Sequence, residues 1–321
     1  MLGEIKMINE KIIKIIDETS KAVTGKNEII KKILAVILAG GHILLEDIPG
    51  VGKTTLALAM TKSLGLSFGR VQFTPDVVPS DITGFTVYDR ENSNFKYIPG
   101  AVMCNMFLGD EINRTSSKTQ SALLEVMQEG KVTVDGVSHE VPKPFTVIAT
   151  QNPVGTAGTQ MLPEAQLDRF MMKLSMGYPS FDEQVKILSD REQKDPLDEI
   201  VSVIEPYKLD EMIREVKTVY TDEKIYRYIT SLVEATRENE FIKLGVSPRG
   251  AIALATVSRA WAYIEGRDYV VPEDIDTLFV DVCAHRVILE PKGKISGKST
   301  IKILKEILNE TKAPKTEGFY R

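Results

Sequence analysis

Four residues in the stretch HILLEDIPGVGKTTLALAM, at 42–60, have the types and spacing to hold a polyphosphate: Gly50, Gly52, Lys53 and Thr54. The usual loop reads glycine, any four residues, glycine, lysine, then serine or threonine. Here the position five before Gly52 is Asp47, an acid where a glycine is expected. In such a loop backbone N–H groups wrap the phosphates, and the following helix adds the positive end of its dipole. Glycines stand where the backbone must approach the oxygens or take positive φ. Lys53 would neutralise the β- and γ-phosphates, and the Thr54 hydroxyl would hold Mg²⁺. HILLE reads as a strand and KTTLALAMTKSLG as a helix, the context that separates a site from a chance match.

The chain carries its own control. EPKGKISGKST at 290–300 also contains Gly-Lys-Ser, but Lys292 stands five before Gly297 and only 22 residues follow Ser299. That leaves too little chain for the rest of a nucleotide-binding sheet, and it reads as a lysine-rich loop. Downstream residues must therefore decide for 42–60. MFLGDE places Asp110 and Glu111 at the end of an apolar strand, where ligands collect in open α/β sheets. Asp110 would bind Mg²⁺ through water, and Glu111 would polarise the attacking water, which hydrolysis needs and binding does not. An idle, solvated acidic pair is the plainer reading, and Lys53 upstream weighs against it.

Asn152 ends the next buried strand, FTVIATQNP. Its amide could orient the water or the γ-phosphate; alternatively Asn-Pro only makes a turn. Arg169, in QLDRF, lies between a helix and a strand, with an ion pair to Asp168 or Glu164 as its plain role. Arg249, in GVSPRGAIAL, falls in the first turn of a helix, where a cation opposes the dipole. That oddity points to an anion.

The elements that must position these residues alternate between strand and helix up to residue 178. The pattern predicts an α/β fold with a mostly parallel sheet. An amphipathic helix opens the chain, with Ile5, Ile8, Ile12, Ile15 and Ile16 at helical spacing. Alternating stretches around RENSN predict a hairpin over 85–98, and the Asp-Gly turn predicts another over 131–141. From SFDEQVKIL onward the periodicity is almost wholly helical, broken at Pro196, Pro206, Pro248 and Pro272. We place a boundary near 178, between a nucleotide-binding α/β domain (1–178) and a smaller all-α lid domain (179–321).

Bulk properties are those of an ordinary soluble protein: 43% hydrophobic and 26% charged, with mean hydropathy −0.08. No run approaches the ~18 apolar residues of a membrane span, and charges interrupt every apolar run near the N-terminus, against a signal peptide. Cys104 and Cys283 lie far apart and read as buried thiols, which fits a cytoplasmic location. A net charge of −5 weighs modestly against a nucleic-acid partner.

With these residues laid out, the chain resembles the AAA+ ATPases, and closely the MoxR family within them. The resemblance covers nearly all of residues 5–290. It rests on LLEDIPGVGKT, VQFTPDVVPSDITG, FLGDEINRTSSKTQSALLEVMQEGKVTVDG, IATQNP, LPEAQLDRF and GVSPRGAIAL, in that order. It implies a Walker A loop of Pro49, Gly50, Val51, Gly52, Lys53, Thr54 and Thr55, and a Walker B pair of Asp110 and Glu111. Mg²⁺ would be held by Thr54 and Asp110. Asn152 would be sensor 1, Arg249 sensor 2 on the lid, and Arg169 the arginine finger reaching a neighbouring subunit's nucleotide. Arg114 is a weaker candidate for a contact across that interface, or else a plain surface ion pair. Val23 and Gly25 would lie near the adenine. The two hairpins would be the helix-2 insert and the pre-sensor-1 hairpin, facing the pore or a partner. MoxR sequences resemble this one in tolerating Glu-Asp before the loop. The Asp47 carboxylate is therefore expected to accept hydrogen bonds within the loop and to point away from the phosphates.

The function so implied is an ATP-hydrolysing, chaperone-like remodeller, working as a ring, usually a hexamer. Its partners would be von Willebrand factor A-domain or other client proteins, with metal-cofactor insertion among the tasks. A nucleic-acid motor is the alternative, although the tips RENSN and DGVSHE are not basic and lack aromatics for stacking. A nucleotide-gated scaffold with little turnover fits a complete hydrolytic set least.

Overall fold

The computed structural model describes residues 2–152, 162–190, 195–295 and 297–315. Pro153 and the end of the tail KAPKTEGFYR lie outside them. Helices α1 (Leu2–Ser20) and α2 (Asn27–Leu38) open the chain. The alternating part follows as β1 (Ile43–Glu46), α3 (Lys53–Ser63), β2 (Phe68–Gln72) and the short α4 (Pro79–Thr83). Next come the hairpin β3 (Gly84–Asp89) and β4 (Asn94–Pro99), then β5 (Met106–Asp110) and α5 (Ser117–Glu129). A second hairpin, β6 (Lys131–Val134) and β7 (Val137–Glu140), precedes β8 (Thr146–Gln151), α6 (Glu164–Leu167) and β9 (Met172–Leu174).

The central sheet has the order β2-β5-β8-β1-β9, and every pairing in it is parallel. Helices cover both faces, so its strands read as continuous apolar runs. Successive side chains of a strand point to opposite faces. Ile43, Leu45, Met106, Leu108 and Ile148 accordingly pack into one cluster with α1 to α3. Leu44, Phe107, Val147 and Ala149 pack into the other with Phe73, Leu123 and Phe170. Ile12 and Ile15 of α1 are buried in the first cluster, as their helical spacing predicts.

Both hairpins form where the alternation predicts them. Asp135 and Gly136 take positive φ (50° and 79°) at the second turn, the conformation that makes Asp-Gly a hairpin signal. Tyr97 of β4 stacks on His139 of β7 at 3.8 Å, bringing the hairpins together. Aromatics do stand just inside the first tip: Tyr88 and Phe95 pair across the strands at 5.3 Å, with Phe95 75% exposed.

After β9 the chain is helical, as α7 (Phe181–Asp190), α8 (Pro206–Val216), α9 (Glu223–Glu238), α10 (Pro248–Ile264), α11 (Pro272–Cys283), α12 (Pro291–Ile295) and α13 (Thr300–Glu310). It also holds an antiparallel ribbon of β10 (Ile242–Leu244) and β11 (Ile288–Leu289). Strands of three and two residues are too short to show a period. Leu254, Trp261, Phe279 and Leu304 of this half share the first cluster with α1 and α2. Cys104 and Cys283 are free and buried. Among the described residues no helix is long and apolar enough to cross a membrane.

His42, just ahead of β1, pins the lower edge of the sheet. The Val147 N–H donates to its Nδ1 at 3.0 Å, so the ring proton sits on Nε2, which donates to the Met127 carbonyl at 2.8 Å. Burial pushes its pKa down to about 4. Between pH 6.5 and 4 the unfolded chain takes up a proton that the folded one refuses, so this contribution is intact at neutral pH and is lost on acidification. The loss is about 3 kcal/mol at ~1.4 kcal/mol per tenfold change. Urea unfolding at pH 7 and pH 4.5 should show His42→Gln losing that share of the pH dependence; an unchanged slope would refute it.

Candidate functional site

Strand β1 ends at the C-terminal edge of the sheet and delivers Asp47 to the start of the glycine loop. Gly50 and Gly52 take φ of 85° and 93°, a region closed to most side chains. No side chain caps Gly52 at the head of α3. The first-turn N–H groups of that helix are the kind that bind anions. Lys53 is half-buried and its Nζ donates to the carbonyls of Asp47 (2.9 Å) and Ile48 (3.1 Å). Burial lowers its pKa, and the charges of Asp47, Asp110 and Glu111 oppose that.

Val23, Pro49, Gly50, Val51, Gly52 and Thr55 line a cleft of ≈ 250 Å³. Met176, Tyr178, Gln184 and Ile187 form its far wall. Gly25 itself does not line it. Gly25 takes φ of 75°, a conformation that most side chains resist, so it turns the chain between α1 and α2.

Asp47 is 6% exposed and is bound from outside the loop, not within it. Its carboxylate accepts from the Ser175 hydroxyl (2.8 Å) and from the N–H groups of Met176 (2.5 Å) and Gly177 (3.1 Å). The reason is sheet order. β9 runs parallel beside β1, with Leu45 opposite Leu174, so the chain leaving β9 passes the end of β1. The acid therefore clamps two strand ends. Asp47→Ala strands the buried N–H of Met176 and the half-buried N–H of Gly177, and urea unfolding should show a loss of about 3 kcal/mol. A variant as stable as the parent but defective in ATP binding would show that the carboxylate faces the phosphates.

Asp110 ends β5. Its Oδ2 pairs with Arg70 of β2 at 2.8 Å, and its Oδ1 accepts from the Thr150 hydroxyl at 2.6 Å. The Glu111 N–H donates to the same hydroxyl oxygen at 2.8 Å. Glu111 sits at φ 57°, ψ 49°, a left-handed conformation uncommon outside glycine and recurrent at functional sites. Its carboxylate is paired with Arg114 at 2.7 Å, so Arg114 forms an ion pair inside its own chain. The Asn113 amide donates to the Asn152 carbonyl at 3.3 Å, which ties the turn after Glu111 to the end of β8. Asn113 is 1% exposed and its Oδ1 has no partner among the described residues.

These groups suit Mg²⁺ with a polyphosphate: hard oxygen donors from Thr54 and Asp110, an ammonium, and a loop whose glycines let backbone close in. Thr54 and Asp110 would hold the Mg²⁺, which would supply charge neutralisation for phosphoryl transfer.

Two residues are not at this end of the sheet. Arg169 precedes β9, and Met171 donates its N–H to the carbonyl of His42, which precedes β1. Arg169 therefore stands at the N-terminal edge, about 13 Å from the loop along β1 at ~3.3 Å per residue. Its Nη1 donates to the Leu124 carbonyl (3.0 Å) and to Gln128 (2.8 Å), and its buried Nε has no partner among the described residues. It does not pair with Asp168, whose carboxylate is held by Arg286 at 2.8 Å. Arg249, in the first turn of α10, is exposed and has no hydrogen bond or ion pair among the described residues. Arg169 and Arg249 line one pocket with Asp168 and Arg286, apart from the glycine-loop cleft.

The chain is similar to several known proteins. Residues 42–172 match the "ATPase family associated with various cellular activities (AAA)", and residues 234–307 match the AAA lid domain. A crystal structure of a candidate ATPase from Cytophaga hutchinsonii superposes with a TM-score of 0.90 at 38% identity, covering 98% of each chain. YeaC of Bacillus subtilis, an uncharacterised protein, is 48% identical over 94% of each chain. The chaperone MoxR1 of Mycobacterium tuberculosis is 37% identical over 85% of this chain and 74% of its own length.

The chain is a MoxR-family AAA+ ATPase. Membership brings nucleotide binding, with Mg²⁺ the usual partner, and ATPase activity as the general property of the family. In this MoxR chain the motifs leave four residues unannounced. Arg70 and Thr150 hold Asp110, Asn113 reaches toward Asn152, and Arg286 holds Asp168. A polar Thr150 inside the apolar run TVIAT was a usable signal. Arg70, Asn113 and Arg286 meet their partners only through sheet order and helix packing.

Proposed function

We propose that this chain hydrolyses Mg–ATP as one subunit of a ring, a hexamer by analogy with its superfamily. We propose further that it uses the cycle to remodel partner proteins, in the cytoplasm. Residues 1–178 would form the nucleotide-binding domain and 179–321 the lid. Gly50 to Thr55 would wrap the phosphates, with the adenine beside Val23 and near Gly25. Lys53 would neutralise the β- and γ-phosphates, and Thr54 and Asp110 would hold Mg²⁺. Glu111 would take the proton of the attacking water and Asn152 would orient it.

One observation carries the ring. Arg169 and Arg249 open at the sheet edge opposite Lys53 and Glu111, which supports the reading that neither would serve the site of its own chain. Both would meet the nucleotide of a neighbour, Arg169 as the finger and Arg249 as sensor 2. Von Willebrand factor A-domain proteins and metal-cofactor insertion are the client class and task we favour, on the resemblance alone. Phosphate release by the purified protein, dependent on Mg²⁺ and abolished by Glu111→Gln, tests the activity; its absence ends the reading. Capture of a protein partner on the ATP-loaded Glu111→Gln ring tests the remodelling.

The exposed Tyr88–Phe95 pair favours one second reading, a nucleic-acid motor, since aromatic faces stack on bases. ATPase stimulation by DNA or RNA, falling steeply with salt, would support it over a protein client.

A further inference from the structure

Arg286 lies in the turn after α11, its side chain 2% exposed, and takes no part in the chemistry above. Its Nε donates to Asp168 Oδ1 at 2.8 Å. Its Nη2 donates to the carbonyls of Asp168 (3.2 Å) and Phe170 (2.7 Å), and its Nη1 to that of Met171 (3.2 Å) and that of Val282. One guanidinium thus grips the backbone on both sides of Arg169.

Asp168 has a second partner. The Ser247 hydroxyl lies 3.1 and 3.0 Å from its two oxygens. Ser247 is also the N-cap of α10, its oxygen accepting from the Gly250 N–H at 3.1 Å. Arg249 is two residues on. Ser247 and Asp168 therefore tie the first turn of α10 to the residue next to Arg169.

A buried ion pair is a poor way to gain stability, because desolvation cancels most of the attraction and apolar residues would pack as well. A guanidinium differs in fixing direction, since its rigid fork sets several acceptors at once. The acceptors here are the backbone that aims Arg169.

We propose that Arg286, acting through Asp168 and Ser247, is a positioning residue that holds Arg169 and Arg249 in fixed relation, so that both meet a neighbouring subunit's nucleotide as one unit. The proposal rests on the in-trans reading of those two arginines. It also means that α10 cannot shift without carrying Asp168 and the finger beside it.

The test is hydrolysis by mixed rings. Arg286→Met should lower kcat about 10²-fold, the order of loss that a ~1 Å misplacement of a catalytic group produces, with KM for ATP little changed because its own cleft is intact. Mixed with Glu111→Gln subunits, whose sites are dead but whose Asp168, Arg169 and Arg286 are whole, it should regain turnover that neither has alone. Urea unfolding of each unmixed variant identifies a subunit that is merely unstable, since assembly with intact partners can itself stabilise such a subunit. Ser247→Ala, a small change at a half-buried point of the same link, should show a weaker loss with the same complementation, and it decides the matter if Arg286→Met does not fold. Arg169→Ala is the control. If Arg169→Ala is complemented and the folded Arg286 or Ser247 variant is not, the positioning role is wrong and the in-trans reading stands. If Arg169→Ala is not complemented, the in-trans reading falls and the proposal with it. Wild-type turnover in Ser247→Ala and Arg286→Met would also overturn it.

Discussion

Glu111→Gln lowers kcat for ATP by about 10²–10⁴-fold, the usual worth of a positioned general base, and leaves ATP affinity close to that of the parent. The site divides its labour between binding and chemistry. Binding would draw on Lys53, the N–H groups after Gly50, and the cleft lined by Val23 and Met176, none of which the substitution touches. The backbone of Glu111 is held independently, by its N–H on Thr150, so the left-handed turn survives in the variant. Only the carboxylate is lost, and with it the ion pair to Arg114. Phosphate release and titration with a fluorescent nucleotide separate the two effects. A variant that still turns over within threefold of the parent would remove Glu111 from the chemistry; one that no longer binds ATP would make it a structural residue.

Arg169→Ala removes turnover by about 10³–10⁵-fold if this arginine acts as in-trans arginines do in GTPases, and does so without unfolding the subunit. Its tethers are slight: one carbonyl of α5 and the Gln128 side chain. Its Nε has no partner to lose among the described residues. The signature is in the concentration dependence. Turnover per subunit of the parent should rise as subunits associate, because on the proposed reading each site would borrow Arg169 from a neighbour, whereas the variant should stay flat while still assembling by light scattering. A parent whose specific activity is independent of concentration, in a form shown to be monomeric, would place the whole site in one chain and overturn the ring.

Much of this was legible beforehand because the deciding signals are local. A phosphate loop needs glycines at set offsets from a lysine, so it is written in consecutive letters. Asp110, Glu111 and Asn152 end apolar runs, and the end of a buried parallel strand is where a sheet presents ligands. The Asp-Gly hairpin is likewise a four-residue matter. What failed was what depends on neighbours distant in sequence. Asp47 was expected to bond within its own loop, yet its partners are at 175–177, supplied by β9. Arg169 and Asp168 are adjacent, yet each answers to a different element, α5 and the turn after α11.

The amino-acid sequence by itself determined the fold class, the loop, the acids, the two hairpins and the kinship with MoxR proteins, since each rests on period, spacing or motif order along one stretch of chain. Only the tertiary structure decided which end of the sheet each charged residue occupies. Strand order placed Asp47 against β9 and put Arg169 at the edge away from Lys53; helix packing buried Arg286 against Asp168. Charge pairing depends on distance in space, and a chain of 321 residues brings far more candidate partners within reach than its spacing can rank.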